Sequence, residues 1–437
     1  MDYLESVNYL YGLGHEVLTA KYGLETVRAL LDKLGRPDLS FKSIIIAGTN
    51  GKGSVSAMLD SIAREAGHRV GLYTSPHLVN IEERISVGGA SIASPAFATL
   101  ATEVRQAGES LVAEGVLASV PTFFEQLTAI ALSHFSREDV ELAVLEVGLG
   151  GRLDATNAVE RVLSVVTGID YDHQNILGDT IIDIAREKAA IIQRGSSVVI
   201  GRQGHQIATD VLMKRCLTEG VLPVFANEPS NVAISESGRT TFDYESSRGN
   251  YSNVILSLRG RHQAENAAAA IEAAESLSEA GFEIGRRAIL DGLRKVVWPG
   301  RLELIEDRPS ILIDGAHNPA GARTLRRYIE EFWKGPVTLV FGAMSDKDVE
   351  GMAAVLFPQA KSIVLTRVRD SRAATNARMG KLALSATQNV IFTETVSQAL
   401  SWARSVTAPE GLIVFAGSLY LAGEVKRLLS SEDRMPV

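Results

Sequence analysis

The chain has 437 residues, 46% of them hydrophobic and 22% charged, and this length and composition indicate a soluble globular protein of two or three domains. The formal net charge of −8 argues against a nucleic-acid-binding surface, although glycine loops and a few cations can still hold small anions. Cys216 is the single cysteine, which excludes an intrachain disulfide and an all-cysteine metal site and is typical of a buried packing residue.

The apolar segments of the sequence predict where the protein resides. The first six residues, Met1-Asp-Tyr-Leu-Glu-Ser6, are acidic and lack an apolar core, so we expect no secretory signal. No apolar run is long enough to span a bilayer. We therefore expect a cytoplasmic protein with no membrane partner and no nucleic-acid partner.

The N-terminal part of the chain predicts a βαβ unit. Residues 1–40 have a helical pattern whose apolar stripe ends at Gly35. A strand at Ile44–Ala47 then leads into a glycine-rich loop, a helix from about Ser54 to Glu65, and a short strand at Val70–Tyr73. This order predicts a parallel sheet with ligands at the carboxyl ends of its strands.

The strand pattern continues toward the middle of the chain. Further strands are predicted at Leu142–Val147 and Val162–Ile169, each followed by a loop with polar residues. Residues 231–257 alternate between apolar and polar positions around Gly and Asn turns, which predicts an antiparallel hairpin or a small sheet. An alanine-rich helix is predicted at about His262–Ser276.

The breakers in Val297-Trp-Pro-Gly-Arg301 predict a domain boundary, which divides the chain into residues 1–297 and 298–437. The second part has five predicted strands, at Ile311–Ile313, Val337–Phe341, Ser362–Thr366, Val390–Phe392 and Leu412–Phe415. We therefore predict an α/β protein: a P-loop-type parallel-sheet domain with a small antiparallel β segment, and a smaller Rossmann-like α/β domain.

The glycine-rich loop is Gly48-Thr-Asn-Gly-Lys-Gly-Ser54, between a buried strand and a helix. Backbone amides and the Lys52 ammonium of such a loop hold a polyphosphate, and the Ser54 hydroxyl is placed for Mg²⁺. The spacing is unusual, because Gly53 separates the lysine from the hydroxyl, unlike the loops of ordinary kinases and GTPases. The alternative is a glycine-rich turn with a solvated lysine.

Two further side chains are candidate metal ligands. Glu146 ends an apolar strand, where a carboxylate is costly to bury without a partner. A divalent cation beside the phosphates would supply that partner, and an ion pair with Arg152 is the alternative. His173 follows the next predicted strand beside Asp170 and Asp172, and is either a ligand or a satisfied packing residue.

Lys188 lies on the apolar stripe of a predicted helix, because it recurs with Ile181, Ile184 and Ile191 at three-four-three spacing. A lysine in apolar surroundings loses proton affinity. The resulting neutral amine can capture CO₂ as a carbamate, which would turn a cation into an anionic metal ligand. The alternatives are a lysine that extends its ammonium to solvent, or one that pairs with a phosphate.

The segment Asp314-Gly-Ala-His-Asn-Pro319 follows a strand of the second part and precedes a helix. Asn318 as an N-cap with Pro319 at the first helical position would explain those two residues completely. That explanation leaves out Asp314 and His317. Together with Arg301 and Asn266, they are suited to binding adenine, ribose or phosphate.

These motifs together resemble the folylpolyglutamate synthase/dihydrofolate synthase family of the Mur-ligase superfamily, and the resemblance covers nearly the whole chain. The glycine between Lys52 and Ser54 is itself a mark of that superfamily. The motifs that carry the resemblance, besides the glycine loop, are Thr74-Ser-Pro-His-Leu78, Glu83-Arg-Ile85, Thr122-Phe-Phe-Glu-Gln-Leu-Thr128, Leu145-Glu-Val-Gly-Leu-Gly-Gly-Arg-Leu-Asp-Ala-Thr-Asn157, Trp298-Pro-Gly-Arg-Leu-Glu303, Asp314-Gly-Ala-His-Asn-Pro319 and Phe341-Gly-Ala-Met-Ser-Asp-Lys347.

The resemblance implies an ATP-dependent ligase that acts on small molecules, and we expect the chain to be a monomer. A pteroate or folate carboxylate takes the γ-phosphate of ATP, and the amino group of L-glutamate attacks the resulting acyl phosphate. The family also implies Mg²⁺, with two ions, and leaves room for K⁺. The length and the pterin-lining match favour an enzyme that catalyses both folate steps.

The resemblance also assigns roles to residues. It implies phosphate binding by Gly48, Thr49, Asn50, Gly51, Lys52, Gly53 and Ser54, and metal binding by Ser54, Ser75, Glu146, His173 and a carbamylated Lys188. It implies ATP contacts by Asn266, Arg301, Asp314 and His317, with Lys52, Glu146, His173, Lys188 and His317 as the catalytic set. It implies a pterin site lined by Thr122, Phe123, Phe124, Glu125, Leu153, Asp154 and Ala155, and glutamate binding by Ser418.

Three other activities are alternatives to an enzyme that catalyses both folate steps. A folylpolyglutamate synthase with one activity is the first alternative, because the sequence does not settle whether one or both folate steps are catalysed. A ligase of cell-wall precursors fits less well, because the Thr122–Glu125 and Asp154–Asn157 segments argue against it. A P-loop ATPase that drives a partner protein would leave the Asp314–Pro319 motif and the placement of Lys188 unexplained.

Overall fold

The structure is a computed structural model that describes residues 1–14, 23–305, 308–387 and 389–432. The predicted helical pattern of residues 1–40 therefore lies partly outside the described residues. The chain forms two compact units. The first comprises Met1–Ser230, Phe242–Ile255 and Glu265–Val296, and the second comprises Asn231–Thr241, Leu256–Ala264 and Val297–Val437.

The first unit contains an eight-stranded sheet in the order β4-β3-β2-β5-β1-β6-β7-β8. The pairs from β2 through β8 are parallel, and β3 and β4 add antiparallel strands at one edge. The prediction of a parallel sheet in this part of the chain is confirmed. The strands are β1 (Lys42–Ala47), β2 (Val70–Tyr73), β3 (Ile85–Val87), β4 (Ala90–Ser91), β5 (Leu142–Glu146), β6 (Leu163–Val166), β7 (Ser197–Ile200) and β8 (Pro223–Phe225).

The helices of this part of the chain bury apolar faces against that sheet or against one another, with α3 and α5 on the sheet and α10 packed on α3. In α2 the buried stripe is Val27, Leu30 and Leu31, as the spacing predicts. The helices are α1 (Tyr3–Gly12), α2 (Glu25–Lys33), α3 (Lys52–Glu65), α4 (Ser94–Ala113), α5 (Phe123–Arg137), α6 (Gln174–Leu177), α7 (Ile181–Ala189), α8 (Gln206–Glu219), α9 (Arg261–Ser276) and α10 (Arg286–Lys295). Cys216 of α8 is fully buried, and burial raises the pKa of its thiol.

A separate three-stranded sheet has the order β11-β10-β9, with β9 (Ser230–Ile234), β10 (Thr240–Glu245) and β11 (Asn250–Leu256). Its neighbouring strands are consecutive in the chain and joined by short turns, the arrangement of antiparallel hairpins. This agrees with the pattern of residues 231–257. Tyr244 and Tyr251 donate hydrogen bonds to Glu272 and Glu275 of α9, at 2.7 Å each, and so fix the end of the sheet that belongs to the first unit.

The second unit contains a six-stranded sheet in the order β12-β13-β17-β14-β15-β16. Its strands are parallel except β12, which runs antiparallel to β13. The elements are β12 (Glu303–Ile305), β13 (Ser310–Ile313), α11 (Pro319–Phe332), β14 (Val337–Phe341), α12 (Val349–Leu356), β15 (Ser362–Leu365), α13 (Asn376–Ala386), β16 (Val390–Phe392), α14 (Val396–Val406), β17 (Leu412–Ala416) and α15 (Leu419–Glu432). All five predicted strands are present within one residue of their predicted ends.

Polar side chains start most of these later helices. Asn318, Asp348, Thr375 and Thr395 are N-caps whose side chains accept a hydrogen bond from a backbone amide in the first turn.

In the described part of the chain, no helix is both long enough and apolar enough to cross a membrane.

The contact between α3 and α10 yields a stability prediction. A methyl group on Gly292 would lie 2.5 Å from the Ile62 Cα, and the Gly292 carbonyl accepts a buried 2.8 Å hydrogen bond from Ser61 Oγ. We expect Gly292→Ala to lower the free energy of unfolding by about 1–3 kcal/mol, because the backbone of α3 must move. Denaturant unfolding measures this change.

Gly12→Ala is the matched control, because Gly12 is also helical and has no atom within 4 Å of the added methyl. Alanine has the higher helix propensity, so this variant should keep or slightly raise stability. Equal stability of the two variants would show that α3 and α10 do not pack as described.

Candidate functional site

The carboxyl ends of β1, β5 and β6 form the edge of the first sheet where the predicted site residues gather. β1 lies between β5 and β6, with Ile46 opposite Glu146 and Ala47 opposite Val166. The loops that follow these three strands therefore meet at one edge. The structure brings together the phosphate loop, Glu146 and the segment that leads to His173.

The phosphate loop needs its glycines for space and for backbone conformation. Gly48 and Gly51 have φ values of +152° and +91°. A Cβ atom on Gly48 would lie 1.8 Å from Thr167 Oγ1, and one on Gly51 would lie 2.3 Å from Asn266 Oδ1. Asn266, on α9, thus lies directly against the loop, where the sequence alone could not place it.

Lys52 begins α3, two residues before the predicted start, and Gly53 and Ser54 are buried in its first turn. The Lys52 ammonium donates to the carbonyls of Gly48 and Thr49, at 3.2 Å each, so it lies over the loop and is not simply a solvated lysine. The amides of the helix N-terminus and this ammonium create a positive site for a polyphosphate.

Glu146 is 4% exposed, and its Oε2 accepts a hydrogen bond from the Ser75 amide at 3.2 Å. Ser75 follows β2, the other neighbour of β5, so two of the predicted metal ligands are adjacent. Arg152 pairs with Glu187, with 2.9 Å between Nε and Oε1. The alternative of a Glu146–Arg152 ion pair is therefore not what the structure contains.

The segment before His173 is bonded to the phosphate loop. Thr49 Oγ1 donates to the Asp170 carbonyl at 2.9 Å and accepts from the Asp170 amide at 3.0 Å. His173 has φ +49° and is the N-cap of the short helix α6, and its amide donates to Asp172 Oδ1 at 2.9 Å. Its side chain is partly exposed, and its Nε2 lies 3.9 Å from Asp172 Oδ1.

Lys188 is 5% exposed on α7, and its Nζ donates to the Gly48 carbonyl at 2.8 Å. The predicted placement on the buried stripe is confirmed, and the alternative of an ammonium extended to solvent is excluded. Burial, and after it the charge of Lys52, lowers the pKa of Lys188 to about 7, against the opposing effect of nearby carboxylates such as Asp172. The carbamate and the phosphate partner both remain compatible with this position.

The donor set at this edge fits a hard cation. Glu146 supplies a carboxylate, and Ser54 and Ser75 supply hydroxyl oxygens, which are ligands that Mg²⁺ accepts. Within the described ranges, no group of three or more His, Cys, Asp or Glu side chains could hold a metal ion. Besides Glu146, a cation here would therefore need hydroxyls, water, phosphate oxygens or a modified lysine as ligands.

The two segments assigned to the pterin site meet at Gly148. A Cβ atom on Gly148 would lie 2.6 Å from Phe124 Cζ, and the Gly148 amide donates to Asp154 Oδ2 at 2.9 Å. Asp154 is buried beside the half-buried Leu153 and the buried Ala155, and burial raises the pKa of its carboxyl.

Thr122 and Glu125 form a capping box at the start of α5, where Thr122 Oγ1 accepts from the Glu125 amide and Glu125 Oε2 accepts from the Thr122 amide. Helix capping therefore explains both residues without a ligand. Phe123 is buried in the core, whereas Phe124 is half-buried. Of the two half-buried side chains, Thr122 and Phe124, Phe124 is the one that no capping hydrogen bond explains.

The second unit places the Asp314–Pro319 motif at the carboxyl edge of its sheet. Asp314 is buried, accepts from the amides of Leu302 and Ala316 at 2.9 Å each, and has a carboxyl pKa raised by burial. His317 Nδ1 donates to the Gly315 carbonyl at 2.8 Å, which fixes the orientation of the ring and uses one of its two nitrogens. The predicted N-cap role of Asn318 is confirmed, since its Oδ1 accepts from the Gly321 amide at 2.8 Å.

Arg301 and Ser418 lie near this motif. A Cβ atom on Gly315 would be 2.3 Å from Arg301 Nη1, which places the guanidinium against the motif backbone. Ser418 follows β17 at the same edge, and its Oγ, which is buried, accepts from the Leu421 amide at 3.1 Å. That bond explains the Ser418 hydroxyl as a helix cap.

One polar cluster was not predicted from the sequence. Arg84 Nε donates to His77 Nδ1 at 2.8 Å, and the Arg84 guanidinium lies over the Phe123 ring at 5.5 Å. Burial, assisted by Arg84, lowers the pKa of His77 to about 3, so the imidazole is neutral near pH 7. The motifs that contain His77 and Arg84 were visible in the sequence, but nothing in their spacing showed that they meet.

The sequence matches two domain families: the Mur ligase middle domain over residues 46–274, and the glutamate ligase domain of Mur ligases over residues 300–419. The dihydrofolate synthase/folylpolyglutamate synthase of Bacillus subtilis is 33% identical over 417 residues, 94% of this chain and 95% of that protein. The crystal structure of Mycobacterium tuberculosis folylpolyglutamate synthase complexed with ADP and AMPPCP has a TM-score of 0.90 and 32% sequence identity, and covers 100% of both chains.

A relative from Haloferax volcanii, named as combining a folylpolyglutamate synthase with a dihydropteroate synthase, is 35% identical over 434 residues. That alignment covers 98% of this chain and 50% of the relative, so the chain spans about half the length of this archaeal protein. The two matched domains and the similarity to the Bacillus subtilis enzyme over nearly its whole length show the family. The chain belongs to the Mur-ligase superfamily and, within it, to the dihydrofolate synthase/folylpolyglutamate synthase family.

Proposed function

We propose that this chain is an ATP-dependent ligase that adds L-glutamate to dihydropteroate and to the glutamyl tail of tetrahydrofolates. The substrate carboxylate takes the γ-phosphate of ATP, and the amino group of glutamate then displaces phosphate from the acyl phosphate. The observation that carries the proposal is the position of Lys188, which is buried 2.8 Å from a carbonyl of the phosphate loop. A simple P-loop ATPase has no use for a second buried amine at that place.

Charge neutralisation is the main task of the phosphate loop in this reaction. A carboxylate and a triphosphate repel each other, so the transition state needs positive groups where charge gathers. In the proposal, the amides of Gly48, Thr49, Asn50, Gly51, Gly53 and Ser54 and the Lys52 ammonium bind the phosphates. Lys52 is held at the loop by two carbonyls, which positions its charge before the substrate arrives.

Mg²⁺ is the proposed metal, with two ions, and K⁺ a further monovalent cation. Ser54, Ser75, Glu146, His173 and carbamylated Lys188 would hold the metal. The metal would neutralise phosphate oxygens during transfer. The adjacency of Ser75 and Glu146 supports this assignment, since the pair offers a carboxylate and a hydroxyl on neighbouring strands.

We assign the remaining predicted residues by their positions. Asn266, Arg301, Asp314 and His317 contact ATP, with His317 in the catalytic set. Phe124, Leu153, Asp154 and Ala155 line the pterin site, together with Thr122, Phe123 and Glu125 as the helix start that positions Phe124. Ser418 contributes to glutamate binding through the loop that it caps.

The proposal also includes the division into a domain of residues 1–297 and one of residues 298–437, a cytoplasmic location, and a monomeric state. Light scattering on the purified chain tests the monomeric state. Expression of the two ranges separately tests whether each folds alone.

A ligase restricted to folate polyglutamylation is the second candidate. A relative from Lacticaseibacillus casei, which is named a folylpolyglutamate synthase alone and is 34% identical over 431 residues, favours it. The two candidates differ only in whether dihydropteroate is an acceptor of glutamate.

The first functional prediction concerns acceptor dependence. We expect ADP release to require L-glutamate together with dihydropteroate or tetrahydrofolate, and to stay at background with a UDP-muramoyl peptide. Tetrahydrofolate alone as an acceptor would leave the single-activity candidate. ATP turnover that is indifferent to every acceptor and to glutamate would contradict the ligase proposal.

The second prediction concerns Lys188. We expect Lys188→Ala to lose activity by a factor of about 10² or more, because a charge-stabilising group is removed. Added bicarbonate or short carboxylates should partly restore the rate by replacing the carbamate. Steady-state rates with and without each additive measure this rescue.

Arg186→Ala is the control for Lys188, because Arg186 lies on the same helix with its side chain 69% exposed. It should keep nearly full activity and should not respond to carboxylates. If Lys188→Ala were as active as Arg186→Ala, the carbamate hypothesis would be wrong.

The third prediction concerns pH. Carbamate formation needs the neutral amine, and a pKa lowered to about 7 makes Lys188 largely neutral above that pH. At a fixed concentration of dissolved CO₂, reactivation of CO₂-depleted enzyme should rise as pH increases through about 7. A rise only near the pKa of an ordinary lysine, about 10.4, would show that burial does not prepare this amine.

A further inference from the structure

The loop after β15 carries three arginines within six residues, in Arg367-Val-Arg-Asp-Ser-Arg372. We call this segment the arginine loop. It leaves the carboxyl end of β15, whose parallel neighbour is β14, and β14 in turn is parallel to β17. The arginine loop therefore lies at the same sheet edge as the loops that contain Ser418 and Asp314.

Close backbone contacts connect these loops in series. A Cβ atom on Gly417 would lie 2.7 Å from the Gly342 carbonyl oxygen, and one on Gly342 would lie 3.0 Å from the Thr366 carbonyl oxygen. The loops after β17, β14 and β15 thus pack against each other without intervening side chains.

The arginine loop is fixed in place by its backbone. Val368 is 4% exposed, so it anchors the loop in the core between two exposed arginines. The Arg369 amide donates to Glu424 Oε1 at 2.6 Å, and the Ser345 amide donates to the Arg372 carbonyl at 2.7 Å. A loop held at both ends presents its charges without a large ordering cost.

The arginine loop has four charged side chains, of which Asp370 and Arg372 pair with each other and, in the described part of the chain, Arg367 and Arg369 do not pair. Arg372 pairs with Asp370, at 3.0 Å between Nη2 and Oδ2, and lies over the Tyr420 ring. Arg367 and Arg369 are exposed, and among the described residues their guanidiniums have no hydrogen-bond or ion-pair partner. The buried Val368 separates them in the sequence, so the two exposed side chains both lie on the solvent side of the arginine loop.

We propose that Arg367 and Arg369 bind the free α-carboxylates of the γ-linked glutamate tail of a folate substrate. Two guanidiniums on an open surface, with no enclosing pocket, suit a flexible chain that repeats one carboxylate per residue. A single small dicarboxylate would need an enclosed site to gain affinity from charges this exposed. The inference rests on the proposed function and specifies how a tail that has already grown is held.

The test compares wild type with Arg367→Gln/Arg369→Gln on monoglutamyl and pentaglutamyl tetrahydrofolate. Exposed charge pairs are weak, so we expect the KM for the pentaglutamyl substrate to rise about threefold to tenfold. The KM values for dihydropteroate, the monoglutamyl folate and free L-glutamate should change less than twofold. The dependence of the pentaglutamyl KM on salt should also weaken.

Lys334→Gln/Lys361→Gln is the matched control, because both lysines are exposed and precede β14 and β15 at the opposite edge of the sheet. It should leave all KM values unchanged, and Arg367→Lys/Arg369→Lys should restore most of the pentaglutamyl affinity. Unfolding temperatures check that every variant is folded.

A rise in the KM for free L-glutamate, or an equal rise for every folate, would overturn the tail proposal, as would no change at all. Inactivity of the wild type with every acceptor would instead reject the proposed function. The two failures are therefore distinguishable.

Discussion

The buried hydrogen bond from Lys188 Nζ to the Gly48 carbonyl, at 2.8 Å, ties α7 to the first residue of the phosphate loop. A desolvated ammonium is costly, and the nearby Lys52 adds repulsion, which is why the pKa of Lys188 falls to about 7. Since that amine can exist without its proton near neutral pH, it can change chemical state. The charge at this edge depends on this one side chain: a protonated Lys188 gives two cations beside each other, whereas a carbamylated Lys188 would give one cation and one anion.

The fold gives each unit one edge where strand-following loops collect. In the first unit, β1, β5 and β6 place the phosphate loop, Glu146 and the segment before His173 side by side, and β2 adds Ser75. In the second unit, β13, β17, β14 and β15 do the same for Asp314, Ser418 and the arginine loop. Buried parallel strands make these edges rigid, so the polar residues can be held on loops without loss of position.

Several features were predictable because they depend on local sequence. The spacing that placed Lys188 among isoleucines, and the Asn318-Pro319 helix start, follow from the 3.6-residue period and from capping rules. The predicted start of α3 was two residues late, because glycines at positions 51 and 53 read as loop while the helix begins between them at Lys52. Thr122 and Glu125 form a capping box, which is the arrangement that a threonine followed three residues later by a glutamate favours. The resemblance instead assigned both residues to a substrate site.

Other features depend on contacts between distant segments and could not be read from the sequence. Arg152 pairs with Glu187 and not with Glu146, because α7 brings Glu187 close. Asn266 reaches the phosphate loop through the packing of α9, more than 200 residues along the chain. The meeting of Phe124 and Asp154 at Gly148 is of the same kind.

The most direct measurement is a crystal structure of the chain grown with AMPPCP, Mg²⁺ and bicarbonate. We predict a carboxyl group on Lys188 Nζ that shares a cation with Glu146, beside phosphates bound at Lys52. An unmodified amine that still donates to the Gly48 carbonyl, with the cation held elsewhere in fully active enzyme, would contradict it.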